Sequence, residues 1–174
     1  NKPVKLCYTR TEDFSTTTPS PAIFIELKTA ADKNGIISAI KGKIILDNGV
    51  FAFPIGSIVG ALLGGYYKCP NVEIDCYEVI TNKPQAGSYR APGAAQATFA
   101  LESNIADMAE ELGIDPLEFR IKNAAETGDL MGNGEKWPEM GLKKCLLMLR
   151  DNPVWKNLKC NKDEGIGIAI GGWP

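Results

Sequence analysis

Residues 88–124, "SYRAPGAAQATFALESNIADMAEELGIDPLEFRIKNA", pass from an irregular loop into two consecutive helical patterns, and the division of the whole chain follows from them. From Ala94 onward, Ala97, Leu101, Ile105, Met108 and Leu112 recur at helical intervals and share one face. Gly113 suits the position just past a helix end. Asp115-Pro116-Leu117-Glu118 then supplies an N-cap, a proline in the first turn and a glutamate at the third position, so a second helix starts there. It carries Leu117, Ile121, Ala124 and Ala125 on one face. Upstream, "NKPQAGSYRAPG" (Asn82–Gly93) holds two prolines and two glycines, the composition of a loop.

Ahead of that loop the periodicity changes to two. "VKLCYTR" (Val4–Arg10) and "AIFIELKTAAD" (Ala22–Asp32) alternate as strands do, and "KNG" (Lys33–Gly35) marks a turn. "GIISAIKGKIILDNG" (Gly35–Gly49) continues the pattern and closes on another turn. An antiparallel meander is expected, leading into a short helix near Ile55–Leu63. "NVEIDCYEVIT" (Asn71–Thr81) resumes as a strand with Val72, Ile74 and Cys76 inward. Beyond a glycine-containing loop that includes Gly132 to Gly134, Gly141–Arg150 is helical with Leu142, Cys145, Leu146 and Leu149 together, and Gly165–Gly172 is a further strand. The expected class is α+β, with antiparallel strands in the first half, helices after about residue 94 and a final strand near the C-terminus. The division is a strand-rich lobe over 1–82, loop and helices over 83–164, and the start of a further strand over 165–174, all within one fragment of a longer polypeptide.

Composition narrows the chemistry. The 174 residues are 44% hydrophobic and 23% charged with a net charge of −2, so no basic excess favours nucleic acid or an anionic membrane. Histidine is absent, which excludes Ser-His-Asp and Cys-His arrangements, histidine metal sites and histidine bases. Five cysteines lie scattered without a CxxC pair, as expected of buried free thiols in a reducing, cytoplasmic setting. Residues 48–67 carry no charge, and Gly56, Gly60 and Gly64 repeat at membrane-helix spacing. Pro54 interrupts that run, and its helical part is too short for ~30 Å of hydrocarbon, so a buried helix with a close-packing glycine face is expected instead. The acidic pairs Glu12-Asp13 and Glu110-Glu111 point apart within each pair and belong on solvated faces. Trp137, Trp155 and Trp173 lack the basic interleaving that nucleic-acid stacking needs and suit core or interface packing.

The loop at 88–96 is the candidate site. Gly93 permits unusual backbone geometry, and Pro92 fixes its own φ while pushing Ala91 away from helix. The first amides of the following helix lack internal acceptors and can donate to an anion. Arg90 offers a planar charged fork, and Gln96 an amide that both donates and accepts. Small side chains at Ala91, Ala94 and Ala95 let a bulky ligand approach. The same residues also suit a packed loop–helix junction with Arg90 paired to a carboxylate, and both readings stand on residue chemistry alone.

Three stretches carry a resemblance: "PVKLCYTRTEDF" (Pro3–Phe14), Tyr66–Ala124 and "GIGIAIGG" (Gly165–Gly172). Together they resemble, in the same order, the molybdenum cofactor-binding subunit of the xanthine dehydrogenase/aldehyde oxidase family. The densest part is Ser88–Ala125. Tyr89, Arg90, Gly93 and Gln96 match one family element, and Gly113, Pro116, Glu118, Arg120, Lys122 and Asn123 match another.

The resemblance implies a region that helps hold a molybdenum–pterin cofactor, in some members as the cytosine dinucleotide, through Arg90, Ala91, Gly93 and Gln96. It implies a parent enzyme hydroxylating an aldehyde or N-heterocycle with water as the oxygen source. Iron–sulfur clusters and FAD on other subunits or domains then carry the electrons. The expected partners are the remaining molybdenum-binding region, those subunits and a small-molecule substrate, with neither nucleic acid nor membrane among them. Where purine-handling members have glycine and phenylalanine after the arginine, this chain has Ala91 and Pro92. Pro92 is therefore the substrate-pocket candidate and the aromatic wall is missing. No match exists near Ile58–Gly60 for the arginine that orients purines. The family's catalytic glutamate and glycine-rich cofactor loop fall outside residues 1–174, so no catalytic or metal-ligating residue is expected here and the isolated fragment is expected to be inactive. A scaffold of the same fold without cofactor is the competing class.

Overall fold

The computed structural model describes residues 2–173. Three strands, β1 (Ala22–Ala31), β2 (Ile37–Asp47) and β3 (Val72–Val79), form one sheet in the order β1-β2-β3. Six helices accompany them: α1 (Arg10–Thr16), α2 (Gly56–Leu63), α3 (Ala94–Glu111), α4 (Pro116–Asn123), α5 (Leu142–Asp151) and α6 (Pro153–Lys156). The class is α+β.

The hairpin β1–β2 is antiparallel, with Ile25 opposite Ile44. The meander stops there, because β3 pairs with β2 in parallel. The cause is α2, a crossover that carries the chain back before β3 begins, and such a connection imposes parallel pairing. The Gly56/Gly60/Gly64 face of α2 packs within the protein. A methyl on Gly64 would come within 2.6 Å of Gly132 Cα, and the Gly132 amide donates to Ala61 O at 3.0 Å. No helix among the described residues is long and apolar enough to cross a membrane.

Two other strands expected from alternation do not form. Residues 3–9 run without regular structure, with Val4 and Leu6 exposed. Thr9 and Glu12 instead build a capping box that starts α1, and no neighbouring strand competes with it. Residues 165–173 form no ladder. Two of their amides bond side chains: Ile170 N–H donates to Glu102 at 2.9 Å and Gly172 N–H to Tyr66 Oη at 2.9 Å. The thiols are not buried either. Cys7, Cys76, Cys145 and Cys160 are exposed and Cys69 half-buried, Cys76 because β3 is an edge strand.

The core joins Ile37, Ile40 and Ile44 of β2 to Val59, Leu62 and Leu63 of α2 and to Ala97, Leu101, Ile105 and Ala109 of α3. Trp137 stacks on Tyr66 with centroids 6.0 Å apart and donates its indole N–H to Gly65 O. Inside this core lies an ion pair. Arg120 is 0% and Glu102 5% exposed, with Nε to Oε2 at 2.9 Å. The Glu102 carboxylate also accepts from Tyr67 Oη and from the Ile170 amide, so three separate segments converge on it. Burial, with the Glu102 charge beside it, pushes the Tyr67 phenol well above its usual pKa and keeps it a donor. Asn123 makes a second buried tie: it accepts from Ile37 N–H at 2.9 Å and donates to Gly35 O at 2.8 Å, locking α4 to the start of β2.

At the other end of β2, Asp47 accepts from Lys83 Nζ, Thr81 Oγ1 and Gly49 N–H at 2.6, 2.6 and 3.0 Å. These contacts, the lysine foremost, lower its pKa from 3.8 to about 2.

Both carboxylates can be tested by substitution. Arg120→Met leaves Glu102 buried and uncompensated and should cost about 3–5 kcal/mol in urea denaturation. Adding Glu102→Gln should recover part of that loss; a single-variant cost under about 1 kcal/mol would contradict the buried-pair account. Because the folded pKa of Asp47 lies below 3.8, its stabilisation is present above that pH and lost as pH falls toward about 2. Asp47→Asn should therefore flatten the fall of urea midpoints across that window, and identical slopes for both proteins would refute it.

Candidate functional site

The segment after β3 is held at defined points before it reaches the loop. Ala86 N–H donates to Asn48 O and Gly87 N–H to Pro19 O, both at 2.9 Å. The backbone then enters the left-handed region three times around one proline: Arg90 at φ 29°, Ala91 at φ 53° and Gly93 at φ 82°. Glycine is needed at 93, where a Cβ would also come within 2.8 Å of Val59 Cγ2. Arg90 and Ala91 carry a Cβ in a region that costs roughly 1–2 kcal/mol per residue. The turn delivers the chain into α3 with Ala94 N–H bonded to Ala91 O at 3.0 Å. Contrary to the expectation from sequence, that first amide is satisfied inside the loop and is not available to an anion. The Ala95 amide reaches the same oxygen only at 3.5 Å.

Arg90 is exposed, and among the described residues its guanidinium forms neither an ion pair nor a hydrogen bond, so the carboxylate pairing of the packing reading does not occur. It faces an open groove of about 500 Å³ lined also by Ser20, Tyr89, Ala95, Gln96 and Phe99. Gln96 Nε2 donates to Ser20 Oγ at 2.8 Å, while Gln96 Oε1 is buried without a partner. Turning the amide over would only exchange which end is orphaned. A buried unpaired polar atom costs about 1–3 kcal/mol. The site thus combines a permanent cation, a donor–acceptor amide with one unused end and a strained turn. It suits an anionic ligand with polar heteroatoms and holds no acid–base pair.

Of the residues expected from sequence, Arg90, Ala95 and Gln96 meet at the groove. Ala91, Pro92 and Gly93 shape the turn behind it. Ser20, from the segment between α1 and β1, was not legible, since nothing local marks it. Phe99, 78% exposed, carried a signal: it is an aromatic that falls off the Ala97/Leu101/Ile105 stripe. Glu102 was hidden in the same way, a buried acid one residue past Leu101.

Comparison with known proteins gives this geometry its setting. Residues 1–124 match the family described as the molybdopterin cofactor-binding domain. The chain is 32% identical to the xanthine dehydrogenase molybdenum-binding subunit of Escherichia coli O157:H7 over 96% of its own length and 24% of the relative's. It is 31% identical to an aldehyde oxidoreductase of Megalodesulfovibrio gigas over 98% of this chain and 20% of that one. The solved aldehyde oxidoreductase from Desulfovibrio gigas superposes with a TM-score of 0.74 at 29% identity, over 83% of this chain and 16% of that one. Quinoline 2-oxidoreductase from Pseudomonas putida 86 gives 0.72 at 27% identity, over 83% and 20%. The chain therefore spans about a quarter or less of these relatives' length. It belongs to the molybdopterin cofactor-binding domain family, among the xanthine dehydrogenase and aldehyde oxidoreductase type of proteins.

Proposed function

We propose that this chain is part of the large, molybdenum-binding subunit of a hydroxylase acting on an aldehyde or N-heterocycle with water as the oxygen source. In this reading Arg90, Ala91, Gly93 and Gln96 help hold the molybdenum–pterin cofactor, in its plain or cytosine dinucleotide form. The observation that carries it is an unengaged Arg90 fork on a groove that Gln96, whose Oε1 is buried without a partner, also lines. A pterin dinucleotide offers anionic oxygens to the first and ring donors and acceptors to the second, so the residues present fit the group.

When bound, the molybdenum group supplies the two-electron oxidation of substrate carbon. The residues of this chain supply position. Arg90 neutralises anionic oxygens by a planar fork. The Arg90–Ala91 turn brings backbone close without a bulky side chain, and Pro92 borders the substrate side without an aromatic wall. Electrons leave through iron–sulfur clusters and FAD on partner subunits or domains. The catalytic base lies in the remaining molybdenum-binding region, so residues 1–174 alone are inactive. A cytoplasmic setting belongs to this reading, supported by five free thiols.

In the full-length enzyme, Arg90→Ala should weaken cofactor retention about ten- to a hundredfold, the loss of a charge-assisted bond, while Arg90→Lys should be intermediate. Molybdenum and released pterin per subunit measure this. Full metal content and unchanged turnover in Arg90→Ala would remove the assignment, and wild-type protein free of molybdenum after cofactor-replete expression would establish the scaffold alternative.

Relaxing the turn should separate stability from function. Ala91→Gly relieves a positive φ and should raise stability by up to ~1 kcal/mol while lowering cofactor retention. A variant both more stable and fully loaded would show that the strain serves nothing at the site.

A further inference from the structure

Three Asn-Gly pairs occur in the chain, Asn34-Gly35, Asn48-Gly49 and Asn133-Gly134, and in each the glycine holds a positive φ. Such a pair carries a chemistry of its own. No Cβ on the glycine hinders its nitrogen, which can attack the carbonyl carbon of the preceding asparagine side chain. A C–N bond forms and ammonia leaves. Water then opens the five-membered imide to aspartate or isoaspartate. The attacking nitrogen must first lose its proton and come free of any acceptor. By sequence the three pairs are equivalent; the fold makes them different.

Asn34-Gly35 is held from outside its turn. Asp32 accepts from the Asn34 and Ile36 amides, both at 2.9 Å, and the Gly35 amide donates to Asp32 O at 2.9 Å. From α4, Lys122 Nζ donates to Asn34 O and Asn123 Nδ2 to Gly35 O. Asn48-Gly49 is enclosed. Asn48 is buried, its amide donates to Val79 O, its carbonyl accepts from Ala86 N–H, and its side-chain amide donates to Glu78. The Gly49 amide donates to Asp47, and a methyl on Gly49 would strike Pro84 O. Freeing either glycine nitrogen means parting a turn from α4, or the end of β2 from the segment after β3.

Asn133-Gly134 lies at a loop tip. Both residues are exposed, and a methyl on Gly134 would meet nothing within 4 Å. The hydrogen bonds of the pair stay inside residues 131–135. Gly134 N–H donates to Met131 O at 2.9 Å, Asn133 Nδ2 to Glu135 at 3.0 Å, and Glu135 N–H to Asn133 Oδ1 at 3.1 Å. One local opening of the tip therefore frees the nucleophile and the side-chain amide together, at a cost far below that of global unfolding.

We propose that Asn133 is a modification site, converting without a catalyst to aspartate and isoaspartate, and that the isoaspartate form loosens the 126–140 loop from α2. The second part follows from the neighbouring residue. Gly132 seats this loop on the glycine face of α2, its N–H bonded to Ala61 O at 3.0 Å and its Cα too close to Gly60 O to admit a methyl. Isoaspartate routes the main chain through the former side chain. That adds one backbone carbon between Gly132 and Gly134 and leaves a carboxylate beside Glu135. The turn is closed by Met131 N–H on Glu135 O at 2.7 Å, and the extra carbon breaks that fit. Gly93 packs on α2 through Val59, so the modification acts on the support of the candidate site. The proposal does not rest on a cofactor being held there.

The test incubates the full-length subunit, folded, in warm and mildly alkaline buffer. Peptide mapping with isoaspartate-resolving fragmentation follows the three pairs. Asn133 should convert at least about tenfold faster than Asn34 and Asn48, and in urea the three rates should converge. Asn133→Gln, which lengthens the ring to be closed, should abolish conversion at that position. In the isoaspartate form the Gly132 amide should exchange at least about tenfold faster than in unconverted protein. Asn34 or Asn48 converting as fast as Asn133 in the folded subunit overturns the site, as does an Asn133 that converts only in urea. Equal exchange of the Gly132 amide in both forms overturns the loosening.

Discussion

A carboxylate almost without water around it organises this molecule. Buried alone, the charge of Glu102 would cost several kcal/mol. It is tolerable because Arg120 from α4, the Tyr67 hydroxyl from the segment after α2, and the Ile170 amide all donate to it. Apolar packing is non-directional and would let these three segments slide against α3. Hydrogen bonds to one carboxylate do not, and so they fix the register. Glu102 stands eight residues beyond Ala94, about 12 Å along the helix, so the hub also sets where α3 begins. The strained turn is presented from that anchored end.

The turn concentrates unfavourable features in a few residues. Two non-glycine residues hold positive φ, and one end of a neighbouring amide is buried and unpaired. A domain whose net stability is on the order of 5–15 kcal/mol loses a noticeable part of it there. The loop has shorter routes into a helix, and glycine at 90 or 91 would remove much of the strain. The arrangement becomes reasonable once a ligand that prefers the folded state adds its own binding free energy.

Legibility in the sequence followed the physics of each signal. The starts of α3 and α4 could be read because periodicity, Gly113 and the Asp115-Pro116 start agree locally, whereas α4 ends at Asn123, short of the Ala124 and Ala125 expected on it. The β1–β2 hairpin could be read for the same reason. What depended on distant partners could not. Glu102 has the surroundings of a surface acid until Arg120 is placed against it. Parallel pairing of β3 depends on where α2 leaves the chain. Alternation in residues 4–10 and 165–172 looked like strand, but neither segment lies on an edge of the sheet, and side chains take the Thr9, Ile170 and Gly172 amides instead. At the site, the Arg90–Gln96 loop and its small residues were legible. The Ala94 amide's bond to Ala91 and the roles of Ser20 and Phe99 were not, because they arise only when the segment before β1 folds against α3.

One flank of α3 serves two grooves. Gln96 and Phe99 border the space in front of Arg90 and also the space above β1. Both spaces are open, while Gln96 Oε1 itself is buried without a partner. An Arg90–anion contact at an effective dielectric near 20 is about four times stronger than in bulk water, so exclusion of water there acts directly on ligand affinity. The Gln96–Phe99 turn, which borders both grooves, is where exclusion of water would strengthen anion binding at Arg90.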